Sequence, residues 1–348
     1  MAVKEIPSAQ SRRRSRYRRR RNIRRGWLLA ALLCLVLGLC LIRWAAAKED
    51  TISGEAPQVS GPASSVPASS APQSAGPASS ETPESPAAAS VPRGTDILLS
   101  GQDFHTGTLV LVNNEIPYIF PEEEELLCVL ENKNRSYLVK DGTVFLRPEA
   151  LDALNRMMAD FAAQGGPRTL NVVAGHRTRD FQQHLFDQSA AANGLEHARR
   201  YVAQPGYSEH HTGYALDLSL YFSNGTSRNF DGTGDYRWIA DHAADYGFVL
   251  RYPDGKEDVT GIAYESWHYR YVGVPHAAII AERGLCLEEY VELLQSYPYE
   301  GEHLETEAGG TRYEIYTCVP DALCVPSDAP YTVSGDNVSG FIVTVERK

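Results

Sequence analysis

Two imidazoles and a carboxylate, distant in the chain, are set up to meet at one point. Ser208-Glu209-His210-His211-Thr212-Gly213-Tyr214-Ala215-Leu216-Asp217 places a histidine and an aspartate seven residues apart around small residues. Glu265-Ser266-Trp267-His268 then places a glutamate three residues before a further histidine. Two histidines and one carboxylate can hold a zinc ion and leave a coordination position open for water. The remaining carboxylate, Glu265, is then available as a base. The pattern restricts the fold. Leu216, Leu218 and Leu220 alternate around Asp217, which predicts a strand carrying a charge on its other face. Burying that charge is costly unless a metal or a partner compensates it. Gly213 and Ala215 permit close backbone approach beside it. On a flat strand Glu265 and His268 would face opposite sides, so a bend near Ser266 is required. No His-Glu-x-x-His helix occurs, which excludes the zinc proteases built on one. On the residues alone, His210 and His211 are equal candidates. A bland alternative also stands, in which Asp217 pairs with an arginine and His210 hydrogen-bonds locally.

Not all 348 residues can belong to a core. Residues 1–25 carry Lys4 and ten arginines against Glu5, a formal charge of +10, while residues 26–348 carry −21. An arginine run often signals nucleic acid. Here it directly precedes seventeen uncharged residues, 26–42, so a membrane explanation is preferred and no nucleic-acid partner is expected. As a helix that run would span about 26 Å, near the lower limit for a bilayer. Residues 26–44 therefore read as a single-pass anchor. The arginines stay cytoplasmic and the remainder lies outside the cell membrane. The alternative is a secreted protein cleaved near Ala47, after the small residues Ala45-Ala46-Ala47. Residues 45–93, rich in Pro, Ala and Ser with Gly-Pro-Ala-Ser-Ser occurring twice, read as a disordered tether.

From residue 94 the composition becomes globular. Leu109–Val112 reads as a strand. Pro148 opens a helix carrying Leu151, Leu154, Met158 and Phe161, and Leu170–Ala174 reads as a buried strand. Thr178 or Asp180 caps the next helix. Tyr236–Tyr246 reads as one helix, Trp267–Val272 as a strand, and Pro275–Tyr297 as one or two helices broken near Gly284. Strands and helices do not alternate regularly. The expected class is α+β, a small antiparallel sheet with flanking helices over residues 94–300. Short strands at Tyr313–Cys318, Leu323–Val325, Tyr331–Val333 and Phe341–Val345 predict a small β appendage over 301–348. Cys318 and Cys324 flank a turn-like stretch, and a local disulfide and two buried thiols both remain open.

Taken together, Ser-x-His-x-x-Gly-x-Ala-x-Asp followed by Glu-x-x-His resembles the zinc D-alanyl-D-alanine carboxypeptidases of the VanY type, in the family that also includes VanX-like dipeptidases. The likeness spans roughly residues 109–285. It includes Gly175-His176-Arg177-Thr178 followed by Gln182-Gln183, Gly247-Phe248, and Trp267-His268-Tyr269-Arg270-Tyr271-Val272-Gly273. His176 and Ala174 depart from the tyrosine and serine usual there. The resemblance implies a zinc ion held by His210, Asp217 and His268, and it selects His210 over His211. It implies Glu265 as catalytic base and Arg177 as a substrate and transition-state contact, with Ser208, Gln183 and Trp267 at the substrate. The implied activity is removal of the terminal D-alanine from peptidoglycan stem peptides, free or in their lipid-linked precursor. A D-Ala-D-Ala dipeptidase, a cross-link endopeptidase and a non-catalytic wall-binding module are the alternatives.

Overall fold

The computed structural model describes residues 97–99 and 103–347. The basic tail, the apolar run at 26–44 and the tether at 45–93 lie outside the described residues. Among the described residues, no helix is long and apolar enough to cross a membrane.

The sheet that carries the site is built from β1 (Leu138–Val139), β2 (Leu170–Ala174), β3 (Ala215–Tyr221), β4 (Ser227–Asn229), β5 (Phe248–Leu250) and β6 (His268–Tyr271). Its order is β1-β2-β3-β6-β5, with β4 also paired to β3. Only the β1–β2 pair is parallel; the others are antiparallel. One face packs on α1 (Pro148–Ala163), where Leu151, Leu154, Met158 and Phe161 meet Leu170, Val172, Leu216, Leu218 and Leu220. Proline is tolerated in the first turn of α1, and the apolar spacing keeps one stripe toward the sheet. Burial of each of these large side chains contributes about 1.5–3 kcal/mol.

Asp217 and Ser219 point to the opposite face of β3, as the alternation requires. On that side a cavity opens at Asp217, to which α2 (Arg179–Asn193) contributes Gln182 and Leu185 and α3 (Leu195–Tyr201) contributes Tyr201. Thr178 caps α2 by accepting a hydrogen bond from the Phe181 N–H. Beyond β6, α4 (Val274–Arg283) and α5 (Leu287–Leu294) are separated at Gly284, which adopts a left-handed φ of 62°.

The C-terminal strands are β7 (Leu304–Ala308), β8 (Thr311–Cys318), β9 (Leu323–Val325), β10 (Tyr331–Gly335) and β11 (Phe341–Arg347). Four of them form an antiparallel sheet in the order β7-β8-β11-β10, and β9 pairs with residues 97–99. This sheet packs on the body rather than standing beside it. Leu304, Ile315 and Ile342 share one apolar cluster with Leu109, Val249, Ile279, Leu287 and Leu294.

Two sequence expectations are corrected. Leu109–Val112 is buried but forms no strand. Its polar backbone atoms are satisfied elsewhere: Val110 O accepts from Arg270, Leu109 N–H donates to Ser334 Oγ, and Leu111 N–H donates to Asp336 O. The stretch 236–246 is not one helix. A short α-helix, Arg237–His242, lies between two 3₁₀ turns, and Gly247 ends the run at φ 86°.

Candidate metal centre and active site

Asp217 and His268 are directly opposed residues on the antiparallel strands β3 and β6. Such cross-strand neighbours carry Cβ atoms about 4.5–5.5 Å apart. The ladder register therefore brings a carboxylate and an imidazole together although fifty residues separate them. Asp217 Oδ1 lies 3.1 Å from His268 Nδ1. His210 arrives from the 3₁₀ turn Glu209–Thr212, just ahead of β3, and its Nε2 lies 3.3 Å from Asp217 Oδ2. The turn ends at Gly213, with φ 72°, where an added Cβ would lie 2.8 Å from a Leu126 methyl. One donor atom from each of His210, Asp217 and His268 falls within 4.8 Å of the others, and all three side chains are buried.

The ring of His210 is fixed from behind. Its Nδ1 donates to Gly175 O at 2.7 Å, leaving the Nε2 lone pair facing the cluster. Gly175 has no alternative here, because a Cβ would lie 2.2 Å from Phe145 O. His211 faces elsewhere: Nδ1 donates to Arg177 O at 2.7 Å and Nε2 accepts from Gly206 N–H at 3.0 Å. Both its nitrogens are occupied in tying down the loops around the site.

Glu265 and His268 are brought to one side by a tight turn through Ser266 and Trp267, with His268 N–H donating to Glu265 O. Ser266 Oγ anchors this turn to Phe230 O at 2.7 Å. This is the bend that the Glu-x-x-His spacing demanded. Glu265 Oε2 stands 3.7 Å from His268 Nδ1. Burial pushes the Glu265 carboxyl up to about 7, against the attraction of His268. Burial and the neighbouring Arg177 hold His210 down at about 4. For His268, burial acts to lower the pKa, but Asp217 and Glu209 outweigh it and push the ring up to about 9.

Arg177 lies between β2 and α2. Its Nη2 donates to Asp217 Oδ2 at 2.6 Å, and its Nη1 reaches Gln182 Oε1 at 3.5 Å. Above these groups opens a cavity of about 290 Å³. Ser208, Arg177, Trp267, Glu265 and the three clustered ligand candidates line it, together with Gln182, Tyr201 and Tyr252. Gln183 does not reach it. Successive helix residues are turned about 100° apart. Gln182 therefore faces inward and donates to Ala203 O, whereas Gln183 is exposed and donates to Asp187 Oδ1 at 2.9 Å. The expectation for Gln183 is corrected in favour of its neighbour.

The donor set suits a divalent cation. Asp217 Oδ1, 3.1 Å from His268 Nδ1, is a buried atom without a hydrogen-bond partner. Two imidazoles and a carboxylate are ordinary ligands of catalytic zinc. A buried ligand triad, a raised carboxyl beside it and a guanidinium at the cavity floor together define a metallohydrolase-type centre on an α+β fold.

Comparison with known proteins assigns the centre to a family. Residues 143–274 match the model of VanY, D-alanyl-D-alanine carboxypeptidase. A D-alanyl-D-alanine carboxypeptidase of Enterococcus faecium is 30% identical over 256 residues, covering 71% of this chain and 78% of the relative. The bifunctional D-Ala-D-Ala dipeptidase and D-Ala-D-Ala carboxypeptidase VanXYC of Enterococcus gallinarum is 34% identical over 194 residues, covering 54% of this chain and 95% of the relative. The crystal structure of the vancomycin resistance D,D-dipeptidase VanXYg, in complex with a D-Ala-D-Ala phosphinate analog, superposes with a TM-score of 0.65. It has 31% identity and covers 73% of this chain and 99% of that one. The chain belongs to the VanY D-alanyl-D-alanine carboxypeptidase family.

Proposed function

We propose that this protein is a zinc D,D-carboxypeptidase that hydrolyses the terminal D-alanine from peptidoglycan stem peptides ending in D-Ala-D-Ala. The observation that carries this reading is the convergence of His210, Asp217 and His268 beneath a cavity, with Glu265 beside them. These three side chains would hold the zinc. A zinc ion there supplies Lewis-acid polarisation of the scissile carbonyl and makes water acidic enough to deprotonate near neutral pH.

The chain's own groups do the rest. Glu265, with a carboxyl near 7, takes a proton from the attacking water and delivers it to the departing D-alanine amine. Arg177 presents a planar fork that can grip the substrate's terminal carboxylate or steady the oxyanion as it develops. Its existing bond to Asp217 holds that fork over the site. Ser208, Trp267 and Gln182 shape the cavity around the peptide. The test is to incubate the protein and zinc separately with a stem pentapeptide, free D-Ala-D-Ala and cross-linked wall fragments. D-Alanine released mainly from the pentapeptide supports the reading; release from only one of the other two reassigns the substrate.

A second reading, D-Ala-D-Ala dipeptidase, is favoured by one observation: the VanXYg structure that superposes over 99% of its length is a D,D-dipeptidase. Location belongs to the same proposal. The arginine-rich residues 1–25, the apolar run at 26–42 and the tether at 45–93 support an anchored catalytic body outside the cytoplasmic membrane, near its peptidoglycan substrate. Mass spectrometry of the mature N-terminus tests it. An intact N-terminal segment supports the anchor, and a start at Lys48 means a secreted enzyme.

A further inference from the structure

Glu209 precedes His210 in the chain but faces the other ligating histidine in space. Its side chain has no solvent exposure. Oε1 accepts from Arg251 Nε at 2.6 Å and from Arg270 Nη1 at 2.7 Å. Oε2 has no hydrogen-bond partner and lies 3.6 Å from His268 Nε2, which has none either. These two orphaned atoms are therefore each other's nearest remedy. Closing the gap to hydrogen-bond length needs a movement below about 1 Å.

The chemistry of ligation makes that remedy specific. His268 turns Nδ1 toward Asp217 Oδ1. A neutral imidazole carries one proton, so a ring that offers Nδ1 to a cation must carry it on Nε2. That N–H points at Glu209. Ligating histidines generally donate their second ring nitrogen to a carboxylate or carbonyl, which fixes tautomer and ring angle. His210 has such a partner in Gly175 O. For His268 the candidate is Glu209.

The two arginines explain why Oε2 stays free and in place. Arg251 is itself fixed by Glu288, through Nη1 at 2.8 Å and Nη2 at 2.6 Å. Arg270 is fixed by Thr108 O at 2.8 Å and Val110 O at 2.9 Å. The carboxylate is thus clamped through one oxygen, and the other is presented to the ring. We infer that Glu209 is a positioning residue, accepting the His268 Nε2–H and so holding the ring in the tautomer and orientation in which Nδ1 ligates the cation. The inference rests on the zinc reading above.

The test uses the full chain and measures the zinc dissociation constant by competition with a chelator. Glu209→Gln cannot accept from both arginines and His268 at once, so zinc should bind about 10–100-fold more weakly. Glu209→Asp keeps the charge between the arginines but draws the oxygens back, and should weaken zinc in the same direction by less. Thr344→Val is the control for a purely structural role. It removes the buried bond to His276, away from the site, and should lower the thermal midpoint while zinc affinity stays within twofold of native. Zinc affinity within twofold of native in folded Glu209→Gln or Glu209→Asp, while Asp217→Ala abolishes binding, overturns the inference. A native chain that binds no zinc overturns the reading beneath it and the inference together. If Glu209→Gln does not fold, NMR of the zinc-loaded native protein decides. A slowly exchanging proton on His268 Nε2 supports the role, and a proton on Nδ1 overturns it.

Discussion

Glu265 combines burial, a carboxyl near 7 and a position 3.7 Å from the His268 ring, which fits a group that exchanges protons beside a cation without ligating it. Glu265→Ala should lower kcat by at least about 10²–10⁴-fold, the usual worth of a general base. Zinc content, measured by atomic absorption, should stay at one per chain. Loss of zinc along with activity would make Glu265 a ligand instead. Arg177→Ala should cost about 10²–10³-fold in kcat if the guanidinium meets the developing oxyanion. An effect confined to KM would leave it only the substrate carboxylate. Asp217, His268 and Glu265 were named from residue types that recur at fixed spacings, whereas His210 in place of His211, and Arg177, were named from the resemblance to the VanY family. Glu209 was not. An acid beside a histidine motif reads as ordinary, and its role depends on Arg251 and Arg270, which only folding delivers. Gln182 was passed over for Gln183 because the rotational phase of α2 is set by packing.

Between elements, one buried histidine joins the body to the C-terminal sheet. His276 on α4 bonds through Nδ1 to Tyr290 Oη of α5 at 2.7 Å and through Nε2 to Thr344 Oγ1 of β11 at 3.0 Å. Burial lowers it to about 3. Above pH 6.5 both folded and unfolded states carry it neutral, and its contribution to stability is complete. As pH falls below 6.5, the unfolded chain takes up a proton that the folded protein refuses. Stability is therefore lost progressively until about pH 3, by roughly 1.4 kcal/mol for each pH unit of that window. Thermal midpoints of native and His276→Gln protein between pH 4 and 7 check this. The native protein should show the steeper acid loss, and parallel curves would clear His276. A backbone test sits beside the site. Gly175→Ala places a methyl 2.2 Å from Phe145 O and should destabilise by about 1–3 kcal/mol, read by thermal denaturation. Helices with a proline start and a regular apolar stripe, such as α1, were readable from sequence. Leu109–Val112 was not, because its backbone bonds go to groups far along the chain, in Arg270, Ser334 and Asp336, that no local pattern reveals.

At the scale of the molecule, residues 301–348 complete a shared core. Deleting them would expose Val249, Ile279, Leu287 and Leu294, which pack with Leu304, Ile315 and Ile342. A chain ending at Glu300 should therefore lose cooperative unfolding by circular dichroism. Retention of the native midpoint would make the sheet a dispensable appendage. The β character of this region was legible from its turn signals, whereas its union with the body depends on contacts of long sequence separation. The most direct measurement of the central claim is D-alanine release from a stem pentapeptide ending in D-Ala-D-Ala, assayed on zinc-loaded, chelator-stripped and zinc-restored protein. The expected result is one zinc per chain, release that disappears on stripping and returns on restoration, and no zinc binding in Asp217→Ala. Release that persists unchanged after the zinc is removed, or no release from the pentapeptide by fully loaded protein, would contradict it.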